Sequence, residues 1–288
     1  MKIAVASGKG GTGKTLLSVA LTKAITGSVT LLDCDVEEPN CHLFFPSELV
    51  QTTEIKLPMP VVDPNLCDSC GECADFCQFN AIISLEDTPA MVFDELCHSC
   101  GGCEIVCPVA AINEELVTIG TLESQIISQS KDGSQKELIT GRLNIGYSLA
   151  PPIILAVNRE PILSKTVIID APPGTSCPFV ATVSAADFTI LITEPTPFGR
   201  HDLQLAVETM REIAKPFAVV INRSEQSHNI ISDYCAEQQI PVLLQIPISR
   251  HIAECYSQGL SLLDADPSMQ KQLTQMLSQI ETIAEEQK

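Results

Sequence analysis

The sequence predicts an α/β protein in which a mostly parallel sheet is covered by helices and a small α+β segment is inserted after the second strand. Three observations predict it. Apolar strands alternate with helical segments along most of the chain. A glycine-rich turn joins the first strand to the first helix. Between Val61 and Leu116 the composition turns acidic and cysteine-rich.

Each element follows in order. An apolar strand at 2–6, the glycine-rich turn, a helix at 14–25 and a second apolar strand at 29–34 make a βαβ opening. Residues 121–128 and 137–145 read as the strands of a hairpin around Lys131-Asp132-Gly133-Ser134. Strands at 166–169, 188–193, 217–221 and 242–246 then alternate with helices at 202–214, 229–239 and 269–284, which demands a sheet buried on both faces. Because the alternation resumes after the acidic segment, the expected organisation is a discontinuous domain of residues 1–60 and 117–288 around an insert of 61–116. The 288 residues are enough for one large or two smaller cores.

Composition excludes several function classes. Hydrophobic residues make up 45% and charged residues 18%, which fits a globular chain. The 17 basic and 36 acidic residues give a formal charge of −19, which repels a phosphate backbone or an anionic membrane surface, so no nucleic acid is expected as a partner. No apolar stretch approaches the ~20 residues needed to span a bilayer. The glycine-rich turn begins at Gly8, leaving no room for a signal peptide, and a cytoplasmic protein without stable membrane insertion is expected.

Eight of the thirteen cysteines fall in the insert, as a repeat of period 30: Cys67, Cys70, Cys73 and Cys77 recur as Cys97, Cys100, Cys103 and Cys107. Leu66, Ser69, Gly71, Ala81 and Ile82 recur with them. Each half has the spacing C-x2-C-x2-C-x3-C, in which three closely spaced thiolates hold one 4Fe-4S cluster and the fourth reaches the other cluster. On that scheme Cys67, Cys70, Cys73 and Cys107 hold one cluster, and Cys97, Cys100, Cys103 and Cys77 hold the second. Paired zinc sites explain a repeated four-cysteine run poorly, since tetrahedral zinc needs only four ligands. The segment resembles bacterial two-cluster ferredoxins over its whole length. It departs from them at Gln78, where the family usually has the proline that Pro108 supplies in the second half.

Gly8-Lys9-Gly10-Gly11-Thr12-Gly13-Lys14-Thr15 fits G-x-x-x-x-G-K-[ST] between a strand and a helix, the context in which glycines let backbone N–H groups approach phosphate oxygens. In such a loop Lys14 neutralises the β- and γ-phosphates of ATP and Thr15 offers its hydroxyl to Mg²⁺. With Lys9 at its second position, the loop resembles the deviant Walker A loop of the MinD/ParA superfamily, which includes the nitrogenase iron protein and the Mrp-type iron–sulfur ATPases. The resemblance implies a nucleotide-sandwich homodimer in which Lys9 reaches the partner's phosphates. It further implies that Asp35, at the end of Leu31-Leu32-Asp33-Cys34-Asp35, orients the attacking water while Asp33 supports the metal shell. By the same resemblance Asp170 in Val167–Gly174 holds Mg²⁺ through water and the Gly174 amide senses the γ-phosphate. Asn222 would read adenine, and the loop at Pro247 would close over the base. Together these features resemble MinD-superfamily ATPases containing an inserted ferredoxin domain.

Other features carry less. The histidines at 42, 98, 201, 228 and 251 share no ligand-like spacing. Cys34, Cys41, Cys235 and Cys255 read as buried small apolar residues. Cys177 follows Asp170 at a spacing similar to a cluster-ligating cysteine of the nitrogenase iron protein, but without a second matching ligand it reads as a buried structural thiol. Leu273, Met276, Leu277, Ile280 and Ile283 lie at helical spacing on a segment poor in basic residues, which reads as a helix packed on the sheet rather than on a membrane.

The expected function is that of a homodimeric ATPase whose nucleotide state is coupled to electron transfer through two clusters, with a redox or iron–sulfur partner docking on the acidic insert. Two alternatives are an iron–sulfur carrier or assembly ATPase, and a MinD-like positioning ATPase that uses the insert for docking. No C-x-x-C follows Cys107 to hold a labile shared cluster, which weighs against the carrier.

Overall fold

The first strand, β1 (Lys2–Ser7), is buried along nearly its whole length, as an unbroken apolar run requires when helices cover both faces of a sheet. The computed structural model describes residues 1–131, 133–225 and 229–286. Asp132 of the expected hairpin turn, His228 and Lys288 lie outside the described residues. Helix α1 (Lys14–Ala24) returns the chain to β2 (Val29–Asp33), which is buried throughout. A long strand, β3 (Glu48–Val62), leads to α2 (Glu72–Phe76), the strands β4 (Ile82–Leu85) and β5 (Thr88–Val92), and α3 (Gly102–Val106). Strand β6 (Ile112–Gln129) leads back to β7 (Gln135–Leu143). Helix α4 (Pro151–Arg159), β8 (Thr166–Pro173), α5 (Cys177–Val183), β9 (Phe188–Thr193), α6 (Pro197–Ile213) and β10 (Phe217–Ser224) follow. The chain ends with α7 (Ile230–Glu237), β11 (Val242–Pro247), α8 (Arg250–Ser257), α9 (Leu262–Ala265) and α10 (Met269–Glu286).

Nine strands form one sheet in the order β11-β10-β9-β1-β8-β2-β7-β6-β3. From β11 to β7 every pairing is parallel, and β6 and β3 close one edge antiparallel. Helices α4 to α7 bury one face of the sheet, and α1, α9 and α10 bury the other. On α10, Leu273, Met276 and Ile280 are the buried stripe, so this helix packs on the sheet as its periodicity predicts. No helix among the described residues is long and apolar enough to cross a membrane.

Helix α1 carries the glycine-rich loop at its start, and its far end is fixed from β7. Lys136 Nζ donates to the carbonyls of Thr22 (2.7 Å), Lys23 (3.1 Å) and Ile25 (2.8 Å). A cation there satisfies terminal carbonyls and complements the helix dipole.

The segment between β3 and β6 repeats its own structure. Ser69 and Ser99, Gly71 and Gly101, and Asn80 and Ala110 all take left-handed backbone conformations at the same places in the two halves. Val62 pairs with Ile112 and, thirty residues displaced, Val92 pairs with Ile82. Asp63 N–H donates to Ala111 O (2.7 Å) as Phe93 N–H donates to Ala81 O (2.8 Å). Each half therefore completes the other through a pseudo-twofold exchange. Strands β3 and β6 run unbroken through residues 60–61 and 116–117, so the expected boundaries fall inside continuous strands.

Several elements go beyond expectation: β3, α4, α5, α8 and α9 form, and β6 starts at Ile112. Strand β3 was not read because Pro58 and Pro60 interrupt its pattern, and both are tolerated because β3 is the edge of the sheet. Helix α4 begins with two prolines, a favourable first turn that is too short to show a period.

Candidate functional site

The glycine-rich loop bridges β1 and α1, so its phosphate-binding amides sit at the end of a buried strand and the start of a buried helix. Gly13 takes φ 99°, and a Cβ there would lie 2.3 Å from Asn222 Nδ2, so conformation and space both require glycine. Lys14 is buried, and its Nζ donates to Ser7 Oγ (3.1 Å) and to Lys9 O (3.4 Å), folding back along the loop. Burial lowers its pKa, against the opposing pull of Asp170 and Asp35. Gly8 packs against α6, Gly10 and Gly11 are exposed, and Lys9 is half-buried. Thr12 Oγ1 is buried without a hydrogen-bond partner.

Thr15 Oγ1 donates to Asp170 Oδ2 (2.7 Å), and Ser18 Oγ, one turn further along α1, donates to Asp170 Oδ1 (2.8 Å). Cys41 Sγ donates to Asp170 Oδ2 at 3.5 Å. Asp33 accepts from the backbone N–H groups of Asp35, Asn40 and Cys41 at 3.3, 3.1 and 3.0 Å. Ligand atoms of Asp33, Cys41 and Asp170 lie within 4.8 Å of one another, all buried. Burial, and then the Asp170 charge, push Asp33 up to about 7 and Asp35 up to about 6. Burial likewise raises Asp170. Carboxylates held this way relax when a divalent cation joins them, and the hard oxygens of Thr15 and Asp170 suit Mg²⁺ whereas the Cys41 thiol does not. Sequence reasoning missed Ser18 and Cys41. Ser18 was signalled by its position three residues after Thr15 on one helix face, while nothing in the spacing marked Cys41.

The remaining expected nucleotide residues are placed as follows. Gly174 takes φ 92° and its N–H donates to Ser7 O (3.2 Å), joining the end of β8 to the start of the glycine-rich loop. Asn222 is 5% exposed, and both ends of its amide are engaged: Nδ2 donates to Thr12 O (2.8 Å) and Oδ1 accepts from Arg223 N–H (2.9 Å). Pro247 is exposed at the end of β11. Cys34, Cys41, Cys235 and Cys255 are buried as expected. Cys177 corrects its reading: it is exposed, because it occupies the first turn of α5, where its side chain faces away from the core that Phe179 and Val183 enter. Of the histidines, His98 stacks on Phe79 with ring centroids 3.7 Å apart.

All eight cysteines of the insert are free, and they separate into two cavities. Cys77, Cys97, Cys100 and Cys103 line one; Cys67, Cys70, Cys73 and Cys107 line the other. Each cavity thus receives three cysteines from one half of the repeat and the fourth from the other. Backbone N–H groups point at sulfur: Ala81 to Cys77 (3.4 Å), Ala111 to Cys107 (3.2 Å) and Ser99 to Cys97 (3.4 Å). Burial pushes the Cys103 thiol up to about 11 and raises Cys73 and Cys97. Four sulfurs facing one small cavity become thiolates only when a cationic centre offsets that cost.

Residues 3–263 match the family described as the CobQ/CobB/MinD/ParA nucleotide binding domain. The uncharacterized protein MJ0578 of Methanocaldococcus jannaschii is 34% identical over 263 residues, covering 89% of this chain and 91% of that one. The uncharacterized protein MJ0579 of the same organism is 29% identical over 269 residues, covering 91% of each chain. Among solved structures, the septum site-determining protein MinD of Pyrococcus horikoshii, complexed with Mg-ADP, aligns with a TM-score of 0.56 at 17% identity, covering 100% of this chain and 98% of that one. The MinC:MinD cell division complex of Aquifex aeolicus aligns with a TM-score of 0.58 at 14% identity, covering 98% and 96%. At such identities the likeness is one of fold.

Proposed function

This chain belongs to the CobQ/CobB/MinD/ParA family of nucleotide-binding P-loop ATPases, and on that premise we propose that it is a dimeric iron–sulfur ATPase, its nucleotide state coupled to electron transfer through a ferredoxin-type insert at residues 61–116. One observation carries the iron–sulfur part: each cavity gathers three cysteines from its own half and one from the other, the ligand crossing expected of a two-cluster ferredoxin.

In this reading Cys67, Cys70, Cys73 and Cys107 hold one 4Fe-4S cluster, and Cys97, Cys100, Cys103 and Cys77 hold the other. When bound, each cluster takes up and gives back one electron. The insert's own residues bind sulfur and iron and exclude water, with Phe79 and His98 covering one cavity. At the nucleotide site, the amides of Gly8 to Gly13 and Lys14 Nζ bind the ATP phosphates, and Thr15 with Asp170 binds Mg²⁺. Asp33 supports that metal shell, Asp35 orients the attacking water, and Gly174 N–H reaches the γ-phosphate. Lys9 acts on the nucleotide of the partner subunit, which makes turnover depend on the dimer. Asn222, whose amide is engaged by Thr12 O and Arg223 N–H, braces the loop, and Pro247 would close over adenine.

The insert's eleven acidic residues, Asp63 to Glu115, face no Lys or Arg within it. Such a one-signed field suits a redox partner with a basic patch and disfavours nucleic acid. Similarity to MinD structures favours a positioning ATPase as the second reading, with the insert serving for docking. Anaerobic purification followed by metal analysis separates them: the proposal requires about eight iron and eight labile sulfide per chain. Stoichiometric zinc, or an iron-free protein with full ATPase activity, contradicts it.

A further inference from the structure

The two cysteine cavities are built alike but attached differently, and the internal repeat makes the difference legible. Ser69 Oγ donates to Thr88 O on β5 (2.7 Å) and its counterpart Ser99 Oγ donates to Pro58 O on β3 (2.6 Å), a bond that the repeat preserves, so that only the strand bearing the acceptor differs. Strands β4 and β5 close on each other, while their counterparts at the ends of β3 and β6 continue into the nine-stranded sheet. Cys97 packs against the core that α4 to α7 bury, and Pro60 lines its cavity. The other cavity also meets β3 and β6, through Val62 and Ile112, but its Cys67, Cys73 and Cys107 pack in the insert's own cluster. Ser148, in the loop after β7, fastens the attachment by donating from Oγ to Glu95 O (3.2 Å).

The same loop is joined to the nucleotide site. Val36 follows Asp35 directly and is 1% exposed. Leu143 N–H, the last of β7, donates to Val36 O (2.8 Å). A Cβ on Gly141 would lie 2.8 Å from Val36 Cγ1 and from Val157 Cγ2, so β7 is pressed against Val36 with α4 behind it. Close-packed interiors transmit such displacements instead of absorbing them. A shift of Val36 must therefore move the end of β7, the loop at 144–148 and, through Ser148, the segment leading to Cys97.

We propose that the two cysteine sites are unequal in function: the site of Cys77, Cys97, Cys100 and Cys103 follows the nucleotide state through Val36, Gly141 and Ser148, while the site of Cys67, Cys70, Cys73 and Cys107 does not. The inference rests on the iron–sulfur ATPase reading above. Val36, Gly141 and Ser148 are positioning residues in it, since none touches nucleotide or sulfur. The coupling joins two segments: the turn after β2 that carries Asp35, and the docked segment at 94–99. Typical site-to-site couplings amount to about 5- to 150-fold in an equilibrium constant.

Hydrogen exchange on the anaerobic holoprotein, with Mg-ADP and with a Mg-bound non-hydrolysable ATP analogue, tests this directly, with iron content and nucleotide loading measured on the same sample. Amides 94–99 are expected to change their exchange rate by about fivefold or more between the two states. Their repeat partners at 65–69, Pro64 having no amide proton, serve as the internal control and are expected to stay unchanged. Ser148→Ala is expected to keep iron and nucleotide and to lose the difference at 94–99, whereas Ser69→Ala is expected to keep it. Equal changes in both halves, no change in either, or a full response in Ser148→Ala overturns the proposal. A sample that lacks iron but still responds at 94–99 contradicts the cluster reading and supports the positioning argument. A sample that loads iron and nucleotide without a selective response contradicts the positioning argument alone.

Discussion

Replacing Asn222 by alanine isolates a brace beneath the nucleotide loop. The amide of Asn222 is almost fully buried and makes two hydrogen bonds, to Thr12 O at 2.8 Å and from Arg223 N–H at 2.9 Å, filling the space that Gly13 leaves. Truncation leaves a carbonyl and an N–H unpaired, each costing about 1 to 3 kcal/mol if water stays out. Partial relaxation brings the sum to about 2 kcal/mol. If the loop must be reordered at the moment of binding, that cost appears in affinity, where each 1.4 kcal/mol is about tenfold. Nucleotide Kd is therefore expected to rise about 30-fold, for ATP and GTP alike, because the brace holds the phosphate loop and not the base. Titration calorimetry with both nucleotides on wild-type and Asn222→Ala protein measures it. Unchanged GTP affinity beside weakened ATP affinity would refute the brace and assign Asn222 to adenine.

Other residues give further expectations. Lys14→Ala should weaken nucleotide binding at least tenfold, by the removal of the buried charge along the loop, while Lys9→Ala should retain binding and lose turnover; equilibrium binding and steady-state ATPase assays separate the two. Cys107→Ser should disturb the cluster of Cys67, Cys70 and Cys73, and Cys77→Ser that of Cys97, Cys100 and Cys103; EPR of each variant shows whether the disturbance crosses the repeat as the cavities require. Lys136→Met should cost about 2 to 4 kcal/mol by leaving two α1 carbonyls and that of its C-cap Ile25 without their cation; thermal unfolding of the holoprotein reads it as a fall in Tm of several degrees.

The parallel sheet was legible because β1, β2, β8, β9 and β10 are buried on both faces, which writes continuous apolar runs into the sequence. The C-x2-C-x2-C-x3-C scheme predicts three cysteines of one half beside the fourth of the other, the grouping in which the two cavities are lined. What escaped was held together by contacts distant in sequence. Strand β3 owes its conformation to β6, its partners lying from 50 residues on (Val62 and Ile112) to 78 (Glu48 and Ile126), and its prolines mask it locally. Cys41 reaches Asp170 because the turn after β2 brings it back to Asp33, which accepts from its N–H, at the start of a 3-10 turn (Cys41–Phe44). Cys177 was misread because free cysteine is most often buried, a tendency that a helix's first turn at the surface overrides. The bond from Ser148 to Glu95 O has no counterpart within the repeat, so no reading of the repeat could reveal it.

The central claim is that nucleotide and clusters are coupled within one chain, and redox titration followed by EPR on the anaerobic protein tests it most directly. Midpoint potentials are to be measured nucleotide-free, with Mg-ADP and with a Mg-bound ATP analogue. The account predicts two 4Fe-4S signals, with the potential of one of them displaced between the ADP and ATP-analogue states. Coupling of 1 to 3 kcal/mol corresponds to about 40 to 130 mV for a one-electron couple. Potentials that are each unchanged between the ADP and ATP-analogue states, in a protein loaded with nucleotide and iron, would contradict it.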